Sequence, residues 1–177
     1  MRWKSIGLIG LAALSLMTTD AREETTQFEL ESPAITQGKR IPEDYTSDGS
    51  GDPPPLSWSG APTGTKELVL VVEDPDAKKA PFIHWIVYGL SPDSPGIPQA
   101  LAHATEGTNS LGKQDYVPPS PPKGDPPHHY HFKLYALDQA VPLKAGLDEL
   151  ALMSHIQEHI IGQAELVATY ARENPVS

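Results

Sequence analysis

At 177 residues, with Lys+Arg 13 against Asp+Glu 23 and a formal net charge of −10, the chain has the size of one domain. The acidic balance argues against non-specific nucleic-acid binding, which rests on Lys and Arg neutralising phosphates. Zero cysteine excludes disulfides, thiolate metal sites, a catalytic cysteine and a lipoprotein anchor cysteine. Hydrophobic residues at 38% and charged residues at 20% suit a globular chain, and 19 prolines with 14 glycines imply many loops.

Met1–Ala21 reads as a secretory signal peptide. Arg2 and Lys4 form its basic start, Ile6–Met17 its apolar stretch, and Thr19-Asp20-Ala21 its cleavage site. Twelve apolar residues fall short of the roughly 20 that cross a bilayer. Cleavage after Ala21 leaves residues 22–177 as a single, more acidic domain with a ragged start over Arg22–Gln27. No second long apolar run follows, so the expected mature protein is soluble and periplasmic or secreted, with no membrane span.

Strand signals follow. Phe28–Leu30 is a short candidate. Asp52–Pro55 is a proline loop. Glu67–Glu73 is a β-branched apolar run, and Phe82–Leu90 is a second one. Val117–Pro127 holds six prolines and is a loop. In Tyr130–Leu137 the side chains alternate, with Tyr130, Phe132, Leu134 and Ala136 on one face. Apolar residues from Leu147 to Ile161 recur at three- and four-residue steps, which predicts a helix stopped by Gly162. Leu166–Tyr170 closes the series as a strand. Many strands with one late helix predict a mainly antiparallel β fold of two packed sheets.

Four clusters could carry chemistry. Glu73-Asp74-Pro75-Asp76 ends a buried strand, as a carboxylate pair at a pocket rim or as a turn whose carboxylates cap nearby N–H groups. His84 shares the parity of Phe82, Ile86 and Tyr88, as a hydrogen-bonded core residue unless another polar group meets it. In His128-His129-Tyr130-His131, His128 points inward with Tyr130 and could meet His84. Two imidazoles and a phenol would then supply donors to an anion. His129 and His131 are spaced like a zinc pair but lack a third ligand. His155-Ile156-Gln157-Glu158-His159 matches the inverted zincin pattern, yet few residues remain to supply the further acidic ligand. No nucleophile elbow, phosphate loop or dinucleotide fingerprint is present. The sequence therefore names no catalytic residue, no metal and no cofactor.

The ordered pieces carry a resemblance. Ile41-Pro42 with Tyr45–Gly49, Pro54–Gly60, Asp74-Pro75-Asp76-Ala77, His84-Trp85, Pro121-Pro122-Lys123-Gly124 and His128-His129-Tyr130 follow one another at compatible spacing, and Tyr135–Asp138 and Ala164–Tyr170 complete the set. The chain resembles the phosphatidylethanolamine-binding protein family, also called Raf kinase inhibitor-like proteins, in its bacterial branch, from about Thr36 to Arg172. The resemblance implies an antiparallel β-sandwich with peripheral helices and a small anion pocket for phosphate or phosphoethanolamine-type headgroups. By motif, its ligand-binding residues would be Asp74, Asp76, His84, Pro122, Gly124, His128 and Tyr130. It further implies a binding protein rather than an enzyme; the alternatives are a protease- or kinase-inhibitor-like interaction module with a protein partner such as a protease and, third in order, a hydrolase using the His/Asp cluster, and the dimers among relatives allow a homodimer. The departure is the loop before Pro121. Relatives have glycines there, whereas this chain has Pro118, which lacks an N–H, and Ser120, which adds a Cβ. A narrower pocket is the expectation.

Overall fold

The computed structural model describes residues 27–79, 81–140, 142 and 144–173; the expected signal peptide lies outside the described residues. Two antiparallel sheets form a sandwich. The small one pairs β1 (Glu29–Glu31) with β2 (Ser57–Ser59). The large one has the order β5-β4-β3-β6-β7, built from β3 (Glu67–Asp74), β4 (Phe82–Leu90), β5 (Thr105–Glu106), β6 (His128–Leu137) and β7 (Ile160–Tyr170).

The run ELVLVVED makes β3 the middle strand because every one of its eight residues is buried. A strand without polar alternation needs cover on both faces. One face meets the small sheet through Leu70, Val72, Trp85, Phe132 and Leu166, packed with Leu30 and Leu56. The other face takes Val69, Val71, Ile86 and Tyr88 against the helix α1 (Glu149–Ile156), which supplies Leu152 and Ile156. Asp148 caps that helix by accepting the Ala151 N–H at 2.9 Å.

The helix is shorter than its apolar spacing predicts. It ends at Ile156, passes through a 3₁₀ turn (Gln157–His159), and Ile160 already belongs to β7, opposite Leu137. β-branched Ile160 and Ile161 favour the extended chain, and the sheet offers them a ladder. Gly162 is thus no helix stop. A Cβ there would come within 2.5 Å of the Pro62 ring, so its role is the close approach of the β2–β3 connection to β7.

The pairing of β3 with β4 slips by one residue at the end that matters. Val72 faces Trp85 but Glu73 faces Ile83, so His84 is the extra residue of a β-bulge. The bulge changes the parity expected from the sequence. His84 keeps company with Phe82 but not with Ile86 and Tyr88, which lie on the helix-facing side.

Candidate functional site

β3 runs antiparallel to both of its neighbours, so its last residue lies beside the first residues of β4 and β6. Asp74 therefore meets Phe82 and His84 on one side and His128 and Tyr130 on the other. A cavity of about 340 Å³ opens at this end of the sheet. Of the residues expected from the sequence, Asp74, His84, Pro122, His128 and Tyr130 line it, as do Pro118 and Ser120.

Two expected residues lie off the cavity. The Asp76 carboxylate is committed to His129, accepting its backbone N–H and its ring Nδ1–H, both at 2.8 Å. These bonds hold the Asp76 pKa below the ordinary aspartate value, against a smaller opposing effect of burial. Gly124 stands in a turn with φ +82°, its N–H donated to the Arg172 carbonyl at 3.0 Å. That conformation explains a glycine without any ligand.

The polar floor of the cavity is ordered by its own hydrogen bonds. His128 Nδ1 lies 2.7 Å from Asp74 Oδ2, and Asp74 Oδ1 accepts the Asp76 N–H at 2.8 Å. His84 Nδ1 lies 2.6 Å from the Val117 carbonyl. A carbonyl or carboxylate only accepts, so each ring carries its proton on Nδ1, and Nε2 is left as a lone pair in the neutral ring. Tyr130 packs edge-on to His84 with ring centroids 5.2 Å apart. Its hydroxyl is buried close to the Asp74 carboxylate but makes no hydrogen bond of good geometry among the described residues. Burial, reinforced by the nearby Asp74 charge, pushes this phenol's pKa up and keeps it protonated.

The sequence missed most of the wall. Phe82, Leu111, Val117 and Pro121 supply apolar surface, and Lys78 and Lys79 stand at the mouth. Val117 is placed by main chain alone, its N–H donating to the His84 carbonyl at 2.9 Å while its own carbonyl takes the His84 ring. The proline loop has not closed the space. Pro118 leans against Gly51, where an added Cβ would sit 3.2 Å from its ring, and Pro119 accepts the Ser47 N–H. Pro119 is thereby turned to the protein, whereas Pro118, packed on Gly51, lines the cavity together with Ser120, Pro121 and Pro122.

Desolvation lowers the His84 pKa below the ordinary value, partly offset by the Val117 carbonyl and the Asp74 charge. The linkage has a definite sign. The unfolded ring gains its proton near pH 6.5 while the folded ring still refuses it, so stability is full above that pH and falls as the pH drops beneath it. We expect thermal melting temperatures to decrease between pH 7.5 and pH 5. The decrease should be smaller in His84→Phe; an equal decrease in both proteins would remove His84 as its source.

The remaining histidines are scattered. His131 pairs with Glu165 at 2.8 Å, His159 with Asp138 at 3.1 Å, and His155 Nδ1 bonds the Ala151 carbonyl at 2.6 Å. His129 and His131 thus take different carboxylates rather than a common metal. Among the described residues no group of three or more His, Asp or Glu is placed to hold a metal ion. No described helix is long and apolar enough to cross a membrane. A larger opening of about 560 Å³ between β1 and β7 is lined by glutamine and glutamate side chains together with apolar Phe28, Leu30, Ile35 and Leu166, with no imidazole or phenol, and is the weaker candidate.

Residues 31–171 match the model of the phosphatidylethanolamine-binding protein family. The chain belongs to this family. A UPF0098 protein of Chlamydia muridarum is 40% identical over 152 residues, covering 82% of this chain and all of that protein. A crystal structure of a phosphatidylethanolamine-binding protein homologue from Chlamydia trachomatis superimposes with a TM-score of 0.76 at 39% identity, covering 83% of this chain and 99% of the other. YbcL of E. coli, described as a member of the mammalian family, gives a TM-score of 0.77 at 28% identity over the same shares. The family and its β-sandwich, both expected from the ordered motifs, are thus shown.

Proposed function

We propose that this protein is a non-catalytic binding protein of the phosphatidylethanolamine-binding family, and that the cavity at the Asp74 end of the large sheet is its anion site. One observation carries the reading. Two strands bring His84, His128 and Tyr130 to one cavity, and the Tyr130 hydroxyl is buried there beside Asp74 with no hydrogen bond of good geometry among the described residues. A buried hydroxyl with no bond costs free energy, so it is the natural donor to a bound oxygen. Lys78 and Lys79 offset at the mouth the carboxylates of Asp74 and of Asp125, whose Oδ2 lies 3.9 Å from His128 Nε2. A phosphate or phosphoethanolamine-type headgroup fits this inventory, and an exported location fits the leader-like start of the chain.

The neutral His84 ring offers an anion a lone pair, so binding must be accompanied by proton uptake at an imidazole or on the ligand. Affinity for phosphate and phosphoethanolamine should accordingly be higher at pH 5.5 than at pH 7.5. We expect saturable shifts of the His84 and His128 ring signals in NMR titrations, with His155 and His159 still. Absence of any shift at millimolar ligand would remove the anion site from this cavity.

A further inference from the structure

The walls of the cavity say more about its ligand than the floor does. Phe82, Leu111, Val117, Pro118, Pro121 and Pro122 are apolar and come from three separate segments. Leu111 is 56% exposed at the rim, where a surface leucine gains nothing from water. Apart from the Ser120 hydroxyl, the polar side chains lie on the floor, where the Tyr130 hydroxyl and His84 Nε2 make no good hydrogen bond among the described residues, and at the mouth, where the lysines stand. A space of about 340 Å³ lies at the lower end of the range that encloses whole organic ligands, well beyond what a lone phosphate fills. A bare anion seated on the floor would leave those six walls facing trapped water.

We propose that the cavity takes an oxyacid monoester with an apolar body, an aryl or branched-alkyl phosphate, in preference to inorganic phosphate or a polar headgroup. This rests on the anion reading above and narrows it. The oxyacid sits head-down, one oxygen accepting the Tyr130 O–H and a protonated oxygen donating to His84 Nε2. The ester carbon chain or ring lies against Phe82 and the prolines, and Leu111 covers its outer edge. Prolines have little freedom to lose, so the apolar wall stands ready before the ligand enters.

The pair of probes that isolates the idea is methyl phosphate and phenyl phosphate, which share the acid and differ in the body. Both are titrated into the purified protein by calorimetry, with His84 ring signals followed in parallel. Phenyl phosphate is expected to bind at least tenfold more tightly, and Phe82→Ser to bring that ratio down towards one. Tyr130→Phe is expected to weaken both ligands together, because the lost hydroxyl serves the shared acid. Equal affinities with intact His84 shifts would overturn the preference for an apolar body and leave the anion site standing. Tight phenyl phosphate binding that neither moves His84 nor responds to Tyr130→Phe would place the ligand elsewhere and also overturn the proposal. Failure of both probes and of inorganic phosphate to bind would remove the anion site, and the proposal with it.

Discussion

Replacement of Phe132 by alanine is expected to cost about 3–5 kcal/mol, a large part of the roughly 5–15 kcal/mol that holds a domain of this size together. The ring is fully buried in β6, opposite Val72 on one side and Leu166 on the other, and faces the small sheet. Its two strand neighbours are fixed in their ladders and cannot collapse into the space, so the cavity cost adds to the lost transfer energy. Urea unfolding should show a lower midpoint with an unchanged slope. Leu150→Ala, at a helix position 82% exposed, should shift stability by no more than about 0.5 kcal/mol. Similar midpoints for the two variants would contradict the placement of Phe132.

The second large effect is expected at Asp74. Its carboxylate is buried and accepts two donors, the Asp76 N–H and the His128 ring. An asparagine keeps the shape but has one accepting oxygen, so one of the two donors must lose its bond or turn its proton elsewhere. The cheaper escape belongs to the imidazole, which moves its proton from Nδ1 to Nε2 and accepts from the new amide. Asp74→Asn should therefore invert the His128 tautomer, visible in ring nitrogen chemical shifts. It should also destabilise the fold by about 1–3 kcal/mol, the usual loss for a buried bond to a charged group. An unchanged tautomer in a protein of unchanged stability would mean that Asp74 does not orient His128.

Much of this arrangement was legible before any coordinates. β4 spans Phe82–Leu90 as the apolar run implies, and β6 keeps the alternation that puts His128, Tyr130 and Phe132 on one face. Such patterns are local, and burial on a sheet face enforces them. The failures have a different origin. β2 carries one apolar residue, Trp58, between two serines, and exists because β1 offers it a partner. The bulge at His84 has no side-chain signature, since the extra residue is set by how β4 must bend between β3 and the Ser110–Val117 segment. The helix was overextended because Ile160 continues its spacing while its β-branched side chain prefers the strand. At the site, the histidines and tyrosine announced themselves as unusual residue types. Lys78, Lys79 and Leu111 did not, because their role comes from the β3–β4 and β5–β6 connections meeting at one mouth.

The outer edge of the large sheet has a consequence for assembly. Residues 38–41 run along the far half of β7, with Gly38 N–H on the Val167 carbonyl at 2.7 Å and Ile41 N–H on the Thr169 carbonyl at 2.8 Å. The Gln37 side chain takes the Val167 N–H at 2.9 Å. By the same alternation Gln163 and Glu165 also turn their main chain outward, and no described residue pairs with them there. A strand arriving from another molecule would find two free ladder positions and then run into Gln37. That is too short a zipper to hold two proteins together, so β7 is closed to amyloid-like stacking by its own N-terminal arm. Pairing of two copies at this edge must use side-chain surfaces and not a shared sheet.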